Sequence, residues 1–282
     1  MQIKNDVAKF MQESNLSLFQ LLLVVSCEEK QKISPFFPIN SLGTICYLII
    51  YTIYGQDLAS HALSQLRTAF DFVNDCDCAI EKGNFDISKF RNHEALEKLR
   101  KSLPTTFFSS VVERLATQSL PMFVNNNKYY SFKIANNMPF VFEDILNYLQ
   151  IKSADAFLYS AIIEGIAPDY ISYIQPFLYS VWQMNDFVDD CIDYNDDIKN
   201  KQPNAFKMIE NLYPKEGDIF EYAKNFLSKL ESEILKNKLP EELSYLLGIS
   251  EIFKKAGFSV IEELKNQFQN KNQNFAACVN LA

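Results

Sequence analysis

The sequence predicts an all-α fold in a single domain covering residues 1–282, a helical bundle of about ten to twelve helices. Three observations predict it. Apolar residues recur at three- and four-residue spacings through most of the chain, which gives each segment one buried helical face. No stretch alternates apolar and polar residues as a half-buried strand does. Only 7 Gly and 10 Pro interrupt 282 residues, mostly at helix-length intervals, and 48% of the residues are hydrophobic, enough for a large core.

Each element has a local reason. A first helix over 3–32 carries the apolar run 16–26, and the rigid connector Ser34-Pro35-Phe36-Phe37-Pro38 follows it. Asn40 or Ser41 caps a second helix over 41–54. Gly55 separates that helix from the next, over 57–81, which Gly83 closes. Helices over 87–102, 105–120 and 128–150 come next, with Asn125-Asn126-Asn127 as the most loop-like tract. Gly165 ends a helix over 154–164, and Pro176 is expected to kink the one over 168–198. Helices over 203–212, 218–237, 240–254 and 258–270 complete the chain, with Gly217, Gly248 and Gly257 at or near their ends.

Charge and cysteine content narrow the function. A net charge of −8 and a pI near 5.0 argue against a nucleic-acid partner, because phosphate binding needs a basic face. The chain has four Arg (Arg67, Arg91, Arg100 and Arg114) and none after them. Six Cys without regular spacing read as reduced thiols and a cytoplasmic location. Cys76 and Cys78 flank Asp77, but no companion pair completes a zinc site, and His61 and His93 are too few for a histidine site. The run before Cys27 ends like a lipoprotein cleavage site, yet the segment ahead of it carries Asp6 and Glu13 beside its lysines. The apolar run 41–54 falls short of the ~20 residues a membrane-spanning helix needs. Both runs read as buried helices, with no stable membrane insertion.

One tract argues for a chemistry. Asp186, Asp189, Asp190, Asp193, Asp196 and Asp197 follow directly on the apolar, aromatic segment that ends at Trp182 and Met184. At about 100° per residue, Asp186, Asp189, Asp190, Asp193 and Asp197 form one stripe about 16 Å long. Like charges at this spacing repel and weaken the helix unless cations sit among them. Hard oxygens on a rigid scaffold suit Mg²⁺, which then takes oxygens of an anionic substrate to complete its octahedron. The alternative is a solvated acidic face, but Trp182, Met184, Phe187, Val188 and Ile192 leave little of this helix for solvent. Upstream, Asp71 and Asp75 share a helix face at i,i+4 and are expected to meet the second cluster across a cavity; alone they would read as surface carboxylates.

The segment Gln183 to Asp197, followed by Lys201-Gln202-Pro203-Asn204, resembles the second aspartate-rich motif of class I isoprenoid (terpene) synthases. Asp189, Asp190, Asp193 and Asp197 match the DDxxD spacing of the polyprenyl synthases. In a second register Gln183, Asp186 and Asp190 resemble the DxxxD form of the squalene and phytoene synthases. Asp71 and Asp75 would then correspond to the first acidic motif. Asn185-Asp186, Asp189 and Asp193 are also similar to the motif of membrane prenyltransferases, which span the bilayer many times as this chain, with a mean hydropathy of −0.11, does not. The resemblance covers two short segments and the helical architecture. Departures are definite: the first motif lacks an adjacent Asp pair, and there is no Gly-Lys-Arg segment, paired Arg, Asn/Ser/Glu triad or C-terminal Arg-Tyr pair.

The resemblance implies a Mg²⁺-dependent terpene cyclase, a carbon–oxygen lyase acting on a small-molecule prenyl diphosphate. Asp71, Asp75, Asp189 and Asp193 would be catalytic, with Asp186, Asp190 and Asp197 completing the ligands of two or three Mg²⁺ ions. Arg114, Lys128, Lys133, Lys199 or Lys201 would hold the diphosphate, and Phe70, Phe72, Phe157, Tyr179 and Trp182 would line the pocket, where aromatic faces stabilise cations. A trans-prenyltransferase and a non-catalytic helical scaffold stay open as alternatives, as does a homodimer.

Overall fold

The computed structural model describes residues 41–82, 84–102, 114–213 and 218–279, and these form helices with no strand among them. The expected helix over 3–32, most of the one over 105–120, and Gly83 and Gly217 lie outside the described residues. In chain order the helices are α1 (Ser41–Tyr54), α2 (Gln56–Glu81), α3 (Ile87–Arg91), α4 (Glu94–Ser102), α5 (Leu120–Ala135), α6 (Phe142–Lys152), α7 (Ala156–Ile166), α8 (Ile171–Ile192), α9 (Tyr194–Asn200), α10 (Ala205–Leu212), α11 (Ile219–Leu235) and α12 (Gly248–Val279). None of the described helices is long and apolar enough to cross a membrane.

Helix α8 lies at the centre, packed against α6, α7, α10, α11 and α12. Its sequence explains why. Phe177, Val181, Met184 and Phe187 are fully buried and fall on one face, and Trp182, Asp186 and Asp189 fall on the opposite face. The apolar face joins α11 and α12, where Phe187 packs on Phe226 with ring centroids 4.8 Å apart. Gly257 lets α12 come this close: a Cβ there would lie 2.3 Å from Leu227 Cδ2 and 3.0 Å from Val188 Cγ2. Gly257 therefore sits inside one continuous helix and not at an end, and Gly248 opens that helix. Gly55 behaves as expected between α1 and α2, at φ +86°.

Several expected helices are divided. The one over 87–102 breaks at Asn92 and His93, where His93 Nδ1 accepts the Ala95 N–H and starts α4. The one over 128–150 breaks after Ala135, with Asn137 at φ 48°, and Asn125-Asn126-Asn127 lies inside α5 and not in a loop. The one over 168–198 opens with a 3₁₀ turn, Pro168–Tyr170, and breaks at Asp193 between α8 and α9. Before α5, Leu115–Ser119 form a π-helical turn in which the Leu120 N–H reaches the Leu115 carbonyl. Pro121 has no N–H to continue the preceding ladder, which accounts for the change of pitch there.

Candidate functional site

A cavity of about 300 Å³ lies between α2, the π turn and α5 on one side and α6, the start of α7 and α8 on the other. Helix α2 gives it Phe70, Val73, Asp77 and Ile80, whose spacing is one helical face. Helix α8 gives it Trp182, Asn185, Asp186 and Asp189, and the acidic wall continues through Asp193 and Asp197 to Gln202 and Pro203. Along α8 and α9 this wall runs from Trp182 at one end to Asp197 at the other.

The wall is held from behind. Asp190, 1% exposed, does not line the cavity. Its Oδ1 accepts from Lys152 Nζ at 2.5 Å and its Oδ2 from the Ala205 N–H at 2.6 Å. Asn204 caps α10 by accepting the Lys207 N–H, while its amide donates to the Asp190 carbonyl at 2.6 Å and to Asp197 Oδ2 at 2.8 Å. Tyr148 donates to the Pro203 carbonyl. The turn after the acidic stripe is therefore fastened to its own helix. Ser153 donates to Asp186 Oδ2 at 2.5 Å, and Lys152 Nζ lies 3.8 Å from Asp189 Oδ2.

Electrostatics are lopsided. Lys152 is the one basic side chain among the described residues that borders the cavity, against six aspartates. Burial raises Asp186 to about 8, with the Lys152 charge and the Ser153 hydrogen bond opposing it. Burial and the Asp189 charge raise Asp193 to about 6. Burial raises Asp197 to about 7 against the Asn204 hydrogen bond, with Asp190 adding to the rise. Burial lowers Lys152, but the charges of Asp190, Asp189 and Asp186, with Tyr148, together outweigh it and hold the ammonium well above its ordinary value. Asp155 is raised well above the carboxylate range by burial, then by Asp186 and Asp77.

The expected site residues divide sharply. Asp186, Asp189, Asp193 and Asp197 come together on the cavity, with Phe70, Phe72 and Trp182. Asp71 is exposed and Asp75 pairs with His93 Nε2 at 3.0 Å; neither lines the cavity, because the face of α2 that borders it is the one carrying Phe70, Val73, Asp77 and Ile80. Arg114 is exposed with its guanidinium 5.5 Å from the Phe157 ring centroid, and Lys133 is buried in a 2.7 Å ion pair with Asp144. Lys128, Lys199 and Lys201 are exposed and do not line the cavity. Phe157 and Tyr179 pack on each other, and the Tyr179 hydroxyl donates to the Gln150 carbonyl. Lys152, Asp77 and Asp155 are the bordering charged residues that the sequence reading passed over. For Asp77 the signal was present, since Phe70, Val73 and Ile80 share its face.

Among the described residues no group of three or more His, Cys, Asp or Glu side chains is gathered tightly enough to hold a metal ion by itself. Mg²⁺, however, takes only one or two carboxylates at a time and fills its other positions with water and phosphate oxygen. Asp189, Asp193 and Asp197 on one wall fit that donor set, and burial together with neighbouring aspartate charge raises Asp193 and Asp197. No family model, no characterised protein and no solved structure matches this chain significantly.

Proposed function

We propose that this protein is a class I isoprenoid synthase-like enzyme, which ionises an allylic prenyl diphosphate and lets the resulting cation cyclise or rearrange. The observation that carries this reading is one cavity bordered both by the acidic stripe of α8 and α9 and by Phe70, Phe72 and Trp182. Asp189, Asp193 and Asp197, with Asp77 opposite, would hold Mg²⁺. Bound there, the metal would neutralise charge on the departing diphosphate. Lys152 adds a fixed positive charge beside Asp189 for phosphate oxygens to meet. Asp190, Asn204 and Tyr148 keep the wall in position by the hydrogen bonds that fasten its turn. The aromatic rings exclude water and offer their faces to a cation, worth about 2 kcal/mol or more per desolvated ring. A cyclase is favoured over chain elongation because, among the described residues, a single basic side chain borders the cavity, which suits one anionic substrate better than two.

Geranyl, farnesyl and geranylgeranyl diphosphate, each supplied with Mg²⁺, test this by release of inorganic diphosphate. Release from one of them alone supports the cyclase, release only with added isopentenyl diphosphate supports a prenyltransferase, and no release under either condition leaves the scaffold. Asp189→Asn should lower the rate at least about 100-fold, the loss expected for a group acting on developing charge. Asp71→Asn removes an exposed carboxylate away from the cavity and should leave the rate within about twofold. Equal losses in both variants would refute the assignment of the cavity.

A further inference from the structure

Among the described residues that line the cavity, Asp155 is the one with a buried side-chain oxygen that lacks a hydrogen-bond partner. It stands in the 3₁₀ turn Ser153–Asp155 between α6 and α7, at the Trp182 end, away from Asp193 and Asp197. Its carboxyl receives hydrogen bonds from the Trp182 side chain and the Ala156 backbone. Oδ1 is buried and has no hydrogen-bond partner among the described residues. A buried carboxyl oxygen left unpaired is costly, and native proteins keep such an atom where a ligand, ion or water completes it. The polar side chains Asn74, Ser119 and Asn127 border the same space. The cavity wall made by α2, the π turn and α5 is therefore not hydrocarbon alone.

We infer that Asp155 holds an O–H nucleophile, water or a hydroxylated acceptor, which captures the cation and makes the product oxygenated. The inference rests on the proposed diphosphate ionisation. In that step the allylic C–O bond breaks and its electron pair leaves with the diphosphate. The nucleophile, donating its hydrogen bond to Asp155 Oδ1, gives an oxygen lone pair to the cationic carbon and forms the new C–O bond. The diphosphate, left with the extra negative charge, takes the proton away. An alcohol results from water and an ether from an acceptor; no oxidant or reductant is required.

The test uses the full chain with Mg²⁺ and the three allylic diphosphates in H₂¹⁸O, with and without 4-methylphenol, and follows product identity per diphosphate released. An alcohol carrying ¹⁸O above the enzyme-free background supports the inference with water as nucleophile; an ether formed only with the phenol supports it with an acceptor. Diphosphate release with hydrocarbon as sole product overturns it and spares the proposed ionisation. An alcohol without ¹⁸O overturns it, since the P–O bond was then cut, and absence of any release removes it together with the ionisation. Asp155→Leu should lower the oxygenated share at least tenfold, and Asp155→Ala is read in the same way. Both variants also strip the Trp182 and Ala156 donors of their acceptor, so their thermal midpoints should fall, and the oxygenated share per diphosphate released by the folded protein is the readout that a purely structural role would not move. An unchanged oxygenated share in either folded variant overturns the inference.

Discussion

Asp186 shows how one buried carboxyl couples the site to stability. It is 5% exposed, and burial raises it to about 8 against an ordinary value of 3.8. Between about pH 4 and pH 8 the folded protein therefore binds more protons than the unfolded chain. Its contribution to stability is complete below pH 4 and is lost as pH rises through 8. The metal-free protein should accordingly have a higher thermal midpoint at pH 5 than at pH 8. Asp186→Asn keeps an oxygen for the Ser153 hydroxyl and removes the titration, so it should flatten that slope. Thermal unfolding across the pH range measures both, and an unaltered slope in the variant would show that Asp186 is not the source. At this scale the sequence was informative wherever spacing alone decides. The stripe Asp186, Asp189, Asp193 and Asp197 could be read because its helical spacing keeps the four on one side, even though the helix breaks at Asp193 and Asp197 belongs to α9. Asp71 and Asp75 also share a face, but spacing cannot say which face turns inward; the apolar neighbours Phe70, Val73 and Ile80 select Asp77. Lys152 gave no signal, because its meaning comes from Asp190, 38 residues away in sequence.

Helices and their junctions decide how sharply the site is held. Because a Cβ at Gly257 would meet Leu227 Cδ2 and Val188 Cγ2, the seam of α12 against α11 and α8 has no spare volume. Leu227 is fully buried and cannot swing into solvent, and Val188 is stiff about its only side-chain torsion. Gly257→Ala should therefore destabilise by about 1–3 kcal/mol, the usual cost of overpacking. Gly248→Ala, where a Cβ would meet nothing within 4 Å, is the matching control and should be near neutral. Urea unfolding of the two variants checks this, and equal stabilities would mean that the seam relaxes. Gly257 also explains why some helix ends were misread. A glycine serves equally as a stop and as a close approach, and the choice depends on the partner helix. The division at Asn92 and His93 likewise depends on His93 Nδ1 capping α4, a contact that apolar periodicity does not register.

For the molecule as a whole, the all-α class follows from helical periodicity, while the cavity follows from the way α2 and α8 are brought together through α7. On the proposed function, that arrangement would couple the binding of metal and diphosphate. No three acidic side chains gather around one point among the described residues, so the protein by itself is a poor host for Mg²⁺. Diphosphate by itself meets a wall bearing a large excess of negative charge over Lys152. Each component would supply what the other lacks: phosphate oxygens would fill positions on the metal, and the metal would offset repulsion between phosphate and carboxylates. Binding should therefore be strongly synergistic. Millimolar Mg²⁺ alone, or inorganic diphosphate alone, should move the thermal midpoint by less than about 1 °C. The two together at about 100 times the dissociation constant should stabilise by about 2.7 kcal/mol, or several degrees for a chain of this size. Asp189→Asn should abolish the joint shift, and Asp71→Asn should retain it. Equal shifts from Mg²⁺ alone and from the pair would mean that the metal site is complete without phosphate, contrary to the spread of carboxylates along the wall.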